Sequence, residues 1–279
     1  MEHSNFLTTE IIIEPSKGRV SLDLKEIWQY RELLLFLVWR DVKVQYKQAI
    51  LGIAWAILQP LFTMVIFSVI FGRFAKLPSE GIPYPVFSYV ALLPWQLFSG
   101  ALTRSTSSLV GNANLFTKVY FPRLIIPFSA TLSGVVDFSV SFTVLLGLML
   151  HYGIAPTWGI LCLPFLVALV LITALSVGLW LSALNVQYRD VQHVIPFVMQ
   201  AWMYASPVAY STDLIPAGFW RTLYGLNPLV GVIQGFRWAL LGGREPDELM
   251  GLSVGVVAIL LIWGLYYFRR TERTFADVV

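Results

Sequence analysis

Six windows of this chain run for about twenty residues or more with at most one Asp, Glu, Lys or Arg in each: 48–72, 85–103, 124–150, 157–183, 191–210 and 249–268. An α-helix rises 1.5 Å per residue, so about 20 apolar residues cross the roughly 30 Å of hydrocarbon in a bilayer. Inside that layer every backbone N–H and C=O must find a partner within the protein, which leaves helices or closed barrels as the spanning structures. Runs of this length are helical in character. The expected fold class is therefore an all-α integral membrane protein with six transmembrane helices. The composition agrees: 57% of the 279 residues are hydrophobic and 13% are charged, with a mean hydropathy of +0.71, where soluble domains carry about 25% charged residues.

Residues 213–248 are apolar but broken by Pro216, Gly225, Pro228, Gly231 and Gly235, and they hold Arg221 and Arg237. Neither half makes a clean span. Two short re-entrant helices are expected across about 211–248, dipping into the membrane and returning on one side. Before the first window, 22–47 mixes Leu24, Ile27, Trp28, Leu34, Leu35, Trp39 and Val42 with charges at near-helical spacing. That pattern predicts an amphipathic helix lying in the membrane interface. The remaining boundaries are a flexible N-terminus over 1–21, a membrane domain over 48–268 and a C-terminal tail over 269–279. Residues 1–20 have only the short apolar run 11–13, which does not read as a secretory signal peptide. The first span is expected to serve as the insertion signal.

Six spans put both termini on one side, and Lys and Arg decide which. Thirteen of them fall on the terminal side and five (Arg73, Lys76, Arg221, Arg237, Arg244) on the other, with Arg104 inside a span. The termini are expected in the cytoplasm and 211–248 outward.

The chain offers little catalytic chemistry. Gly-Lys never occurs, so a phosphate-binding loop of the Gly-x-x-x-x-Gly-Lys type is absent. His3, His151 and His193 are scattered, and Cys162 is the single cysteine, which leaves neither a disulfide nor a metal site in the sequence pattern. Ser105, Ser107 and Ser108 raise the question of an intramembrane serine hydrolase, but no Gly-x-Ser-x-Gly elbow accompanies them, and serines in membrane helices commonly serve packing. Asp137 has no second carboxylate at depth. With Arg104 it admits two readings, mutual pairing that fixes helix packing or a coupling-ion site. The net charge of +3 does not imply a nucleic-acid partner.

Five stretches carry a resemblance when taken in order: "WRDVKVQYKQAILGIAWAILQP" (39–60), "PYPVFSYVALLPWQLFSGAL" (83–102), "NANLFTKVYFPRLIIP" (112–127), "NVQYRDVQHVIPFVMQAWMYASPVAY" (185–210) and "LNPLVGVIQGFRWALLG" (226–242). The chain resembles the permease subunits of polysaccharide-exporting ABC transporters of the ABC-2 type, which move O-antigen, capsule-like and teichoic-acid polymers. The resemblance implies an exporter of a polyprenyl-diphosphate-linked polysaccharide in the bacterial inner membrane. It also implies a homodimer served by two copies of a separate ATPase, which would bind the ATP and Mg; this chain needs no cofactor of its own. Export of a small lipid or drug, or a non-transporting scaffold role, are the alternatives.

By the same resemblance a short cytoplasmic coupling helix lies at about 112–123. Asn114, Leu115, Phe116, Lys118, Tyr120, Phe121 and Arg123 are expected to dock on the ATPase, with aromatics filling an apolar groove and cations adding charge complementarity. Arg40, Asp41, Lys43, Tyr46 and Lys47 stand where the lipid diphosphate would enter. Trp95, Phe98, Trp202, Tyr204, Tyr210 and Tyr224 are expected to line the pathway as flat faces for sugar rings, although an interfacial aromatic belt explains such residues too.

Overall fold

The computed structural model describes residues 28–47, 52–116, 121–216, 218–243, 245, 247–272 and 275. The described residues are helical throughout their regular structure. Helix α1 is Arg31–Lys47. Helix α2, Gly52–Phe67, continues as a π-turn over Ser68–Phe74. Helix α3 is Tyr84–Gly111, α4 is the single turn Ala113–Phe116, α5 is Ile125–Leu132 and α6 is Gly134–His151. A 3₁₀ turn, Trp158–Cys162, leads into α7, Leu163–Gln187. Then come α8 (Val191–Tyr204), α9 (Phe219–Gly225), α10 (Pro228–Leu241) and α11 (Glu248–Thr271).

Among the described residues five stretches are long and apolar enough to cross a membrane: Ala54–Phe74, Tyr84–Gly111, Ile125–His151, Trp158–Gln187 and Glu248–Thr271. The expected span at 191–210 is different. It is helical only over the 14 residues Val191–Tyr204, about 21 Å at 1.5 Å per residue. Pro207 explains the stop, because a proline disfavours helical backbone at the residue before it, here Ser206. Two short helices, α9 and α10, occupy the broken region. Asn227 starts the second by capping it: its side chain accepts from the N–H of Leu229, and Pro228 takes the first helical position, where a missing N–H costs nothing.

Helix α3 is the centre of the bundle, packed against α2, α5, α6, α7 and α10. Its small and hydroxylated residues allow this. Thr103, Thr106, Ser107 and Ser108 return their hydroxyls to carbonyls three or four residues back, and Ser105 packs where Gly178 of α7 leaves no side chain. The Ser105–Ser108 stretch is thus packing material, as the absence of a hydrolase motif suggests. Asn185 of α7 donates to the Thr106 carbonyl at 3.1 Å and ties the two helices together.

A second apolar cluster closes the end of the bundle at which α1 packs and α11 ends. It joins Leu37 of α1, Phe121, Leu124, Ile125 and Ile126, Val186 of α7, and Phe268 and Phe275 at the C-terminal end. Helix α1 docks on it through Leu37, with Tyr30, Leu33 and Leu34 alongside. Its other face leaves Trp28, Leu35, Phe36 and Trp39 exposed. The helix therefore has two apolar faces, one against its own chain and one free, where a single interfacial stripe is expected. Leu24 and Ile27 of that stripe lie outside the described residues.

Candidate functional site

Three places hold the polar and aromatic groups that the sequence marks for function. The first is the junction of α1, α3 and α6. Asp137, in the first turn of α6, accepts from Arg104 Nη1 of α3 at 3.2 Å. It also accepts from the Tyr46 hydroxyl and from Gln45 Nε2 at 3.1 Å, both on α1. Space for the guanidinium comes from a glycine: a Cβ at Gly134 would collide with Arg104 Nη2. The break between α5 and α6 at Ser133 places that glycine beside the arginine. Pairing is thus the arrangement that Arg104 and Asp137 adopt. Burial, together with the bond to Asp137 and its charge, pushes the Tyr46 hydroxyl well above its ordinary pKa of 10.0, so it stays a neutral donor.

The five expected entrance residues, all on α1, make different contacts. Arg40 is bound by Asp41 at 2.7 Å and by the Asn112 side chain at 2.7 Å, which pins α1 to the end of α3. Lys43 rests over the Trp39 ring at 4.3 Å, and Lys47 is exposed. Tyr46 faces Asp137. Two lysines thus remain presented to solvent, while Arg40, Asp41 and Tyr46 hold the helix in place.

The second place is the segment 112–123. Asn114 is exposed and Leu115 half-buried against the terminal cluster. Lys118 and Tyr120 lie outside the described residues, as does the side chain of Phe116. Phe121 is 4% exposed, packed in its own chain's core. It anchors the segment and is not free to fill a partner's groove, a correction to the expected aromatic trio. Arg123 is held by the C-terminal end: its N–H donates to the Glu272 carboxylate at 3.3 Å, its guanidinium donates to the Glu272 carbonyl, and it lies over Phe275 at 5.9 Å. The sequence carries no signal for this clasp beyond the basic and acidic residues after span 249–268.

The third place is the opposite end. A groove of about 1020 Å³ is lined by Phe197, Trp202, Trp220, Tyr224 and Pro216. Trp202 Nε1 donates to Asn227 Oδ1 at 3.0 Å, and Asn227 donates in turn to the Ser206 hydroxyl at 2.9 Å. The hydroxyls of Tyr210 and Tyr224 are 2.9 Å apart, and Tyr204 is 53% exposed. Of the expected pathway aromatics, Trp202 and Tyr224 line the groove, and Tyr210 joins them through its hydroxyl, which also reaches the Tyr204 carbonyl at 3.1 Å. Trp95 and Phe98 do not line it: Phe98 is fully buried, Trp95 is 5% exposed, and Phe98 packs edge-on to Trp202 at 5.0 Å. They support the groove from inside the bundle. The reason is their place on α3, which other helices surround.

The turn that carries Tyr210 is capped by side chains from elsewhere. Arg237 of α10 donates to the carbonyls of Val208 and Tyr210, each at 3.2 Å, and its guanidinium lies 3.7 Å from the Phe87 ring centre. Tyr84 donates to the Ala209 carbonyl, and Ser211 donates to Glu80 at 2.6 Å. Irregular backbone at such a place needs these partners. Arg237, counted from sequence among the solvent-side cations, is 4% exposed and structural.

These features define a multi-span helical membrane protein with polar groups gathered at both ends and at the junction of α1, α3 and α6. The model of the ABC-2 type transporter family matches residues 32–241, and the chain belongs to that family. Among curated relatives, an O-antigen export system permease protein, RfbA, of Myxococcus xanthus is 32% identical over 254 residues, covering 89% of this chain and 96% of the relative. The RfbA protein of Klebsiella pneumoniae is 30% identical, covering 89% and 95%. A polysialic acid transport protein, KpsM, of Escherichia coli is 27% identical, covering 86% and 92%.

Proposed function

We propose that this chain is the membrane-spanning permease subunit of an ABC exporter that carries a lipid-linked polysaccharide, O-antigen or a similar polymer, out of the cytoplasm across the bacterial inner membrane. The observation that carries the reading is the 32% identity to an O-antigen export permease along 96% of that protein. A separate ATPase supplies the energy, two copies serving a homodimer of this chain, with ATP and Mg bound by the ATPase. Both termini, and hence 112–123, face the cytoplasm, in line with the Lys/Arg excess at that end. The short helix Val191–Tyr204 and the turn after it make a sixth passage, and α9 and α10 enter the membrane from outside.

Chemically, the ATPase pushes on the segment 112–123 and so on α1 and the C-terminal end, which share one apolar cluster with it. Lys43 and Lys47 attract the diphosphate of the lipid carrier. Tyr204, Trp220 and Tyr224 offer ring faces to the sugars leaving at the other end.

The deciding experiment is deletion of the chain. Lipid-linked glycan is expected to accumulate inside the cells and to clear on complementation; unchanged glycan distribution rejects the reading. In a variant freed of Cys162, cysteine at Gly243 should react with an impermeant reagent from outside and cysteine at Asn114 should not. The reverse pattern rejects the orientation.

A further inference from the structure

A cavity of about 650 Å³ lies between α1, α2, α3 and α6. Gln59 of α2 and Gln96 of α3 line it, and both sit within membrane-spanning stretches. Gln59 is exposed and Gln96 half-buried, and among the described residues neither amide has a side-chain hydrogen bond, whereas Thr106, Thr173 and Asn185 of the same bundle are each bonded to backbone. An amide at membrane depth without a partner is costly. Two of them facing one cavity mark a place built for something that supplies the missing bonds.

The rest of the wall narrows what that is. Ser99 adds a hydroxyl, and Trp55 an indole that is 56% exposed. The two charged residues of the wall, Arg104 and Asp137, neutralise each other at 3.2 Å. An acyl chain would leave both amides unpaired. An anion would meet Asp137 beside Arg104, and a cation the reverse. A hydroxyl-rich ring fits better: amides donate to and accept from hydroxyls, and the indole covers the C–H face.

We propose that this cavity binds a neutral sugar ring of the exported chain, with Gln59 and Gln96 as its hydrogen-bonding residues and Trp55 as its stacking face. The assignment rests on the polysaccharide reading above. It concerns a site inside one subunit, separate from the aromatic groove at the opposite end. Its physical signature is a trade: the glutamines lower stability in exchange for binding.

The test is the double variant Gln59→Leu, Gln96→Leu, which removes both amides and adds only apolar surface at membrane depth. The melting temperature should hold or rise, while export at matched levels of permease and ATPase falls about tenfold, the loss of one or two hydrogen bonds to the substrate. Export at the wild-type rate overturns the proposal and leaves the cavity filled by water alone. Photocrosslinking keeps it falsifiable if the variant does not assemble. With ATP hydrolysis blocked, a benzoylphenylalanine at position 59 should capture glycan, and one at Leu150, which is 80% exposed, should not. Glycan captured at Trp220 but not at position 59 overturns the cavity site and leaves the polysaccharide reading intact. Failure of that reading is registered separately, by absence of glycan accumulation on deletion.

Discussion

Arg104 and Asp137 form an ion pair at 3.2 Å between α3 and α6, with neither side chain more than 28% exposed. The same carboxylate receives Tyr46 and Gln45 of α1. One aspartate thus joins the N-terminal helix to the bundle's central helix. Removing either charge strands the other. Arg104→Ala and Asp137→Ala should each destabilise by about 3 kcal/mol, and the double variant Arg104→Met, Asp137→Leu by much less than their sum. Thermal unfolding in detergent measures both; additive losses would show that the two do not interact.

Tyr46 adds a pH dependence. Its folded pKa is raised above the ordinary 10.0. A group raised on folding contributes its full stability below the unfolded pKa and loses it as pH climbs through the folded one. The stability gap between the wild type and Tyr46→Phe should therefore be constant up to about pH 10 and shrink above it. Unfolding midpoints from pH 7 to pH 11 test this, and a gap that shrinks below pH 9 contradicts it.

At the other end, Arg237 forks onto two carbonyls. A lysine presents one ammonium and no planar fork. Arg237→Lys should cost about 2 kcal/mol and Arg237→Met more, because buried carbonyls lose their donors. Cysteine placed at Val208, which is 1% exposed, should become reactive to maleimide in both variants. Wild-type stability and protection in Arg237→Met would remove its stapling role.

In segment 112–123 Phe121 is an anchoring residue, and under the proposed function Phe116 and Tyr120 are the docking ones. Phe121→Ala should lower stability by about 3 kcal/mol, as large core truncations do. Phe116→Ala with Tyr120→Ala should leave stability near wild type and weaken ATPase copurification, each aromatic anchor being worth roughly 2 kcal/mol. Unchanged copurification in the second variant would show that the ATPase docks elsewhere.

Glu272 gives a third probe of that region. It holds Arg123 through backbone and side chain and pairs with Arg269 at 3.0 Å. Under the proposed function, Glu272→Ala should keep the ATPase bound while lowering the glycan exported per ATP hydrolysed, because segment 112–123 loses its brace to the residues after α11. An unchanged ratio argues that the clasp transmits nothing.

Much of this architecture is written in the order of the residues. Windows with at most one charge mark the long spans, whereas the stop of α8 before Pro207 falls inside the window 191–210 that reads from sequence as a full span. The Arg104–Asp137 pair is foreseeable because two charges at membrane depth need each other or water. What tertiary structure alone decided is the direction in which each residue faces. Helix α7 is apolar all round, so its pattern does not say which side meets α3; the contact of Gly178 with Ser105 does. Phe98 and Tyr204 look alike in sequence as aromatic candidates for the pathway, yet one is fully buried and the other 53% exposed. Phe121 and Arg237 read as surface groups and are interior ones. In water, burial correlates with polarity, and the sequence shows the inside of a helix. Within a membrane both lipid and protein neighbours are apolar, so hydropathy reports depth and leaves the facing side to packing between helices far apart in the chain.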